Sequence, residues 1–230
     1  MIARGELMTV ENIITLLAVW LINAVTMFFL LKDPEISKLG DKGKPLVSKK
    51  FIWIYSAVFL LINTAIVFWF IIIYPTNTIV FSLKRFCVLG LLWPIGLIDF
   101  KTYRIPNKFI VTGLIFRAVL LITELFLERK YLLGEIIAEL VAAIALFLAA
   151  FVCSICMKNS IGFGDIKLFI VMGLLLGTKG IWTAVFMSLI VAFLVAIFLL
   201  VAKKKRKKDI VPFAPSIMIG TYISIILTGM

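Results

Sequence analysis

Residues Ile181 to Ala202 read IWTAVFMSLIVAFLVAIFLLVA, and the six residues that follow are KKKRKK. A helix needs about 20 apolar residues to cross a bilayer, where only a helix or a closed barrel satisfies its own backbone. This uncharged run with a basic stop is therefore a membrane span. Working outward, Ile13 to Leu31, Phe51 to Tyr74 and Ile210 to Met230 read the same way. Phe109 to Leu127 holds Arg117 and Glu124, and Leu133 to Met157 holds Glu135 and Glu139, yet both remain mostly apolar. Two stretches are marginal: Ile79 to Ile98 carries Lys84 and Arg85 near its start, and Ile166 to Thr178 reaches spanning length only if it begins near Gly162. The whole chain of 230 residues is 63% hydrophobic and 16% charged, more apolar than one soluble core can hide. The expected fold is an all-α polytopic membrane protein of about eight transmembrane helices. The first span is too long for a signal-peptide core and lacks a small-residue cleavage site, so it is expected to be a retained anchor.

The net charge of +12 would suggest nucleic acid in a soluble protein, but in a membrane protein it sets orientation. With the N-terminus outside, eight spans place 17 Lys and Arg on the inner side and 6 on the outer side. The inner set comprises the basic residues between 32 and 50, then Lys101, Arg104 and Lys108, then Lys158 and Lys167, then the run 203–208. The outer set is Arg4, Lys84, Arg85, Arg129, Lys130 and Lys179, and Arg117 lies within a span. Seven spans would put basic loops on opposite sides. The chain is thus expected to be a multi-pass protein of the cell membrane with both termini outside. The 203–208 run reads as a topology anchor beside membrane lipid, and no nucleic acid partner is expected. The sequence contains no His, which excludes Ser-His and Cys-His catalysis, His metal sites and His-based pH switching. Cys87, Cys153 and Cys156 all fall in apolar sequence and read as small buried hydrophobes. No metal and no cofactor is expected.

Five Asp occur in the chain. Asp33, Asp41 and Asp209 lie among lysines and read as solvated. Asp99 closes the third span in PIGLIDFKTYRIPN (94–107), and Asp165 opens the sixth in IGFGDIK (161–167). Both fall at the inner membrane face, where a carboxylate is expensive unless it lines a pocket, pairs with a cation or does chemistry. Capping of the following helix would account for Asp165, and pairing with Lys101 or Arg104 would account for Asp99. The glycines tilt the reading. Gly162 and Gly164 flank Phe163 just before Asp165, and glycine permits positive φ and close approach of another backbone. Two of them suggest that an extended chain fits beside the carboxylate. Two carboxylates on different helices, without His or metal ligands, suit water activation by an aspartic pair. One takes the proton from water while the other, protonated, hydrogen-bonds the scissile carbonyl. The helix start beside Asp165 favours it as the charged partner.

These residues resemble the prepilin peptidase family, membrane aspartic proteases that include the archaeal preflagellin peptidases. Asp99 followed by Ile105-Pro106-Asn107 is similar to the family's first Asp segment. Gly162-Phe163-Gly164-Asp165-Ile166-Lys167 is similar to its G-x-G-D segment, and Pro212-Phe213-Ala214-Pro215 to its proline-rich entry into the last helix. The resemblance covers about residues 79 to 230 and implies a six-helix catalytic core there. It implies Asp99 and Asp165 as the catalytic pair, with Gly162, Phe163 and Gly164 shaping a substrate groove. Lys101, Arg104, Pro106, Asn107, Lys167, Pro212 and Pro215 would support them. It also implies removal of a short basic leader from type IV pilin-like precursors at the cytoplasmic face, with pilus or secretion assembly proteins as further partners. Paired C-x-x-C zinc motifs that many members carry near the N-terminus are absent before Cys87, as are the motifs for methylating the new pilin N-terminus. Residues 1 to 78, two helices and a basic loop, stay unassigned.

Elsewhere, Arg117 and Glu139 reach similar depth in neighbouring spans and suggest an internal ion pair. Gly173 and Gly177 form a G-x-x-x-G for close helix packing, and Pro94 with Gly96 would bend the third span toward the pair. Three other readings remain. A transporter would use the two Asp as ion sites, a scaffold would use them structurally, and a presenilin-like intramembrane protease shares G-x-G-D. That last group usually has Tyr before its first Asp, where this chain has Ile98.

Overall fold

The computed structural model describes residues 10–32, 46–75, 77–127, 129–130, 132–156, 162–202 and 211–229. Asp33, Asp41, Asp209, Arg4, Lys158 and the 203–208 run lie outside the described residues. All regular structure among the described residues is helical: α1 (Val10–Leu31), α2 (Lys49–Ile73), α3 (Ile79–Thr102), α4 (Asn107–Leu127), α5 (Leu132–Cys156), α6 (Phe163–Val201) and α7 (Ala214–Thr228). Six of these, α1 to α6, are long and apolar enough to cross a membrane, and the chain is a polytopic membrane protein.

The expected sixth and seventh spans emerge as the single 39-residue α6. At 1.5 Å per residue it would run for about 58 Å, roughly twice the hydrocarbon thickness. It does not run straight. Gly177 has φ 63° and ψ −176°, a conformation open essentially to glycine alone. Before it, 163–176 climbs from Asp165 toward Glu139, which lies 3.7 Å from where a Gly177 Cβ would stand. After it the chain descends beside α7: Ser224 Oγ donates to Thr183 Oγ1 at 2.8 Å, and Ser188 Oγ donates to the Ile217 carbonyl at 3.3 Å. Each of the eight apolar segments thus contributes helix among the described residues, with a reversal at Gly177. Gly173 alone serves close packing in the expected G-x-x-x-G: a Cβ there would sit 2.8 Å from the Ala143 backbone.

α7 has only 15 residues where a full span to Met230 is expected. Ile210 and Val211 are apolar, but Pro212 and Pro215 bracket the helix start and delay it to Ala214. The late start lets the amino end of α7 lie inside the bundle rather than at its surface.

α3 is the central helix, buried along most of its length. Gly96 keeps α7 close to it, since a Cβ would stand 3.3 Å from Met218 Sδ. α2 joins through Tyr55, whose hydroxyl donates to the Trp93 carbonyl at 2.8 Å, and through Asn63, whose Nδ2 donates to Tyr222 at 2.8 Å. α1 joins through Lys108, which donates to the Phe29 carbonyl at 3.0 Å. Cys87 is buried as expected, whereas Cys153 and Cys156 lie exposed on the outer surface of α5.

At the end of the bundle away from Asp99, the ion pair expected of Arg117 and Glu139 grows into a buried quartet. Arg117 Nε donates to Glu139 Oε2 at 2.6 Å and its Nη2 to Glu124 Oε2 at 3.0 Å. Lys84 Nζ donates to Glu139 Oε1 at 2.7 Å and also pairs with Glu124. Lys84 and Arg85, expected in an outer segment, are buried at 5% and 2% exposure. They sit one turn inside α3, and hydropathy does not tell an inward-facing charge from a loop charge.

Candidate active site

The first Asp segment is shaped by an abrupt helix end. Tyr103 caps α3 in the left-handed conformation (φ 55°, ψ 35°) and its amide donates to the Asp99 carbonyl at 2.9 Å. The chain then turns through Arg104 and Ile105 into Pro106, whose carbonyl accepts from Phe109 N at 3.2 Å as α4 begins. The second segment opens α6 with Gly162 as the residue before the first turn. Asp165 is three residues further on, and its carboxylate accepts the Gly162 amide. That is one half of a capping box: the acid in the first turn reaches back to the cap amide, and Gly162 has no side chain to return the bond.

Asp99 is 6% exposed and Asp165 is half-buried. Their carboxylates lie within electrostatic reach of each other, so the fold brings the two segments to one place. Neither Lys101 nor Arg104 forms a salt bridge with Asp99 among the described residues; Lys101 lies over the Phe100 ring and both are exposed. Asp99 is held instead by the backbone at the start of α7. Ala214 N donates to Asp99 Oδ2 at 3.0 Å, and the Phe213 amide donates as well. Phe213 is fixed by an edge contact with Phe169 of α6, ring centroids 6.0 Å apart. Both carboxylates therefore meet a helix amino end, so that feature does not single out Asp165.

The two segments are stitched directly. Lys167 Nζ donates to Asn107 Oδ1 at 3.0 Å. A Cβ on Gly164 would stand 3.0 Å from Ile105 Cβ, and one on Gly162 would stand 3.2 Å from Asp165 Oδ2. Neither glycine has positive φ. Their small size makes room for the carboxylate and for Ile105 of the same chain. Phe163 between them projects outward at 73% exposure. Pro212 and Pro215 flank the two amides that hold Asp99. The part of this site hidden from sequence reasoning is the pair of α7 amides; the prolines mark the helix start but not what it faces. No group of three or more His, Cys, Asp or Glu suited to a metal occurs among the described residues.

An all-helical membrane bundle with two neighbouring carboxylates from separate helices defines a class of intramembrane carboxylate site. Residues 86–201, half of the chain, match the type IV leader peptidase family, Peptidase_A24, and the chain belongs to that family. It is 33% identical over 137 residues to the prepilin leader peptidase/N-methyltransferase of Bacillus subtilis (strain 168). That match covers 59% of this chain and 52% of the relative, so the chain spans about half the length of the curated relative. No solved structure matches the chain.

Proposed function

We propose that this protein is an aspartic endopeptidase that removes the short basic leader from type IV pilin-like precursors at the cytoplasmic membrane face. The observation that carries the reading is the joining of the Asp99 and Asp165 segments, from helices far apart in sequence, by the Lys167–Asn107 hydrogen bond and the Gly164–Ile105 contact. The carboxylates lie in electrostatic reach of each other, and Asp99 is held by amides rather than cations. One carboxylate accepts a proton from water as the oxygen attacks the scissile carbonyl carbon. The other donates its proton to the carbonyl oxygen. Collapse of the tetrahedral intermediate breaks the C–N bond, and the leaving amine takes a proton from the pair. Gly162, Phe163 and Gly164 border the substrate, with exposed Phe163 offered to the precursor's apolar helix. Pro106, Asn107, Lys167, Pro212 and Pro215 position the pair, while exposed Lys101 and Arg104, which make no salt bridge with it among the described residues, add positive charge at that end of α3. Residues 79 to 230 form the catalytic unit, and the role of residues 1 to 78 stays unassigned. The proposal covers peptide cleavage alone and needs no metal or cofactor.

The cytoplasmic placement rests on the excess of Lys and Arg on the Asp side. Cysteine probes at Lys50 and Lys179, in a chain with its native Cys replaced, should label from the cytoplasmic and the outer side respectively. Labelling from the same side rejects the topology. For the chemistry, purified protein is given a pilin-like precursor across pH about 4 to 10, a range that brackets carboxylate ionisation. A shared proton predicts a bell-shaped rate, falling where both groups are protonated and again where both are ionised. A rate that climbs steadily to the alkaline limit leaves a single base and ends the shared-proton mechanism. Asp99→Asn and Asp165→Asn should each stop cleavage, and near-normal cleavage by either removes the pair from the chemistry.

A further inference from the structure

The far end of the bundle carries a cavity of about 430 Å³ between the α2–α3 turn, the α4–α5 turn and the Gly177 reversal. Its lining includes five cations, Lys84, Arg85, Arg129, Lys130 and Lys179, against the carboxylates Glu135 and Glu139. The buried quartet accounts for part of that charge. Lys84 and Arg117 are matched by Glu124 and Glu139, and half-exposed Glu135 approaches Lys84 only to 3.8 Å. Arg85 is left over. It is 2% exposed, its guanidinium lies 3.0 Å from the centroid of the Phe81 ring, and Nη1 donates to the Phe81 carbonyl at 2.9 Å. Its Nε, buried in the cavity wall, has no hydrogen-bond partner, and no carboxylate forms a salt bridge with it among the described residues.

A buried guanidinium with an unused donor is costly unless something accepts from it. The planar fork of arginine suits a two-oxygen acceptor such as phosphate. Arg129 and Lys179 stand exposed on the rim, from different turns, so they face the same opening. Apolar Phe81 and Leu127 line it too, which suits a ligand with an acyl portion.

We propose that this cavity is a binding site for a phosphate mono- or diester, with Arg85 at its floor and Arg129 and Lys179 at its rim. The site is separate from the aspartate end and does not depend on the peptidase reading. It stabilises the bundle by giving the unused Arg85 Nε donor an acceptor, at a place where three turns meet.

The test uses the full chain carrying Asp99→Asn, so that turnover plays no part. Melting temperature and ligand retention in native mass spectrometry are followed in neutral detergent. The probes are phosphatidylglycerol, phosphatidylcholine and inorganic phosphate, each added separately. Phosphatidylglycerol is expected to raise the melting temperature and to remain bound, with phosphatidylcholine weaker. Protection by inorganic phosphate at millimolar levels equal to that of the lipid would identify a free phosphate as the ligand. Arg129→Gln and Lys179→Gln should each weaken binding about fivefold, close to 1 kcal/mol for one surface charge. Arg85→Gln should weaken it more, and the rim variants decide the matter if that variant fails to fold. Lys49→Gln with Lys50→Gln, exposed at the opposite membrane side, should change nothing. Equal weakening by the Lys49 and Lys50 changes, or unaltered binding in both rim variants, overturns the site.

Discussion

The two ends of the bundle hold their carboxylates by different means. At one end Asp99 accepts backbone amides of α7 and Asp165 accepts the amide of Gly162, with no cation in salt-bridge contact among the described residues. At the other end Glu139 is shared between Lys84 and Arg117, and Glu124 completes a quartet of side chains. The difference decides what a substitution leaves behind. An amide that loses a carboxylate can donate to an asparagine oxygen instead. A buried cation that loses its carboxylate is stranded, and stranding a buried charge costs about 3–5 kcal/mol. One end can thus change chemistry without losing structure, and the other cannot.

The largest effect that would break this contrast is at the pair. In the double variant Asp99→Asn, Asp165→Asn, cleavage should be no slower than in either single variant. Groups acting as one unit are not additive, and each single loss already removes the proton transfer, worth about 10²–10⁴-fold or more. All three variants should melt near the wild-type temperature, because Asn Oδ1 still accepts from Ala214. Unfolding of Asp99→Asn, read by circular dichroism, would show that both ends are structural and would dissolve the comparison.

Next comes the opposite end. Glu139→Gln strands part of Lys84 and Arg117 and should destabilise by about 3–5 kcal/mol, while the folded fraction keeps its cleavage rate. Adding Lys84→Met should recover a share of the loss, since removing both partners is less harmful than removing one. A Glu139 variant that melts normally yet fails to cleave would move the network into the chemistry.

A packing comparison is smaller. Gly173→Ala pushes a methyl against the Ala143 backbone at 2.8 Å, which cannot yield like a side-chain tip, and should cost about 1–3 kcal/mol of stability. Gly164→Ala meets Ile105 Cβ at 3.0 Å in the loop that follows Asp99, so it should lower cleavage more than melting temperature. The reverse ranking would place the tight packing at the wrong end.

The spans were legible because twenty apolar residues have one physical solution, and the count of eight segments survives in α6 once Gly177 reverses it. The quartet was half legible. Arg117 and Glu139 advertise each other as charges deep in neighbouring spans, but Lys84 lies one turn from a helix start, where a loop cation looks the same. The short α7 was marked by Pro212 and Pro215, although Ile210 and Val211 extend the apolar run. What sequence alone could not give was the contact of Ala214 with Asp99, separated by 115 positions. A backbone amide is the same at every residue but proline and leaves no signature in composition or spacing.

The smallest expected effect concerns the stitch between the two segments. Lys167 is exposed and its bond to Asn107 Oδ1 spans 60 positions at 3.0 Å. Lys167→Met keeps the stem of the side chain and removes the donor. A hydrogen bond from a charged group at the surface is worth about 0.5–1.5 kcal/mol, so melting temperature should fall little. Cleavage should fall by less than about tenfold, as the pair shifts rather than disappears. Asn107→Ala should do the same, and the two together no more than either alone, because both remove one contact. If the double variant instead loses the product of the two single losses, Lys167 and Asn107 act separately. Lys167 would then contribute through its charge near the pair, and Lys167→Arg would preserve cleavage where Lys167→Met does not.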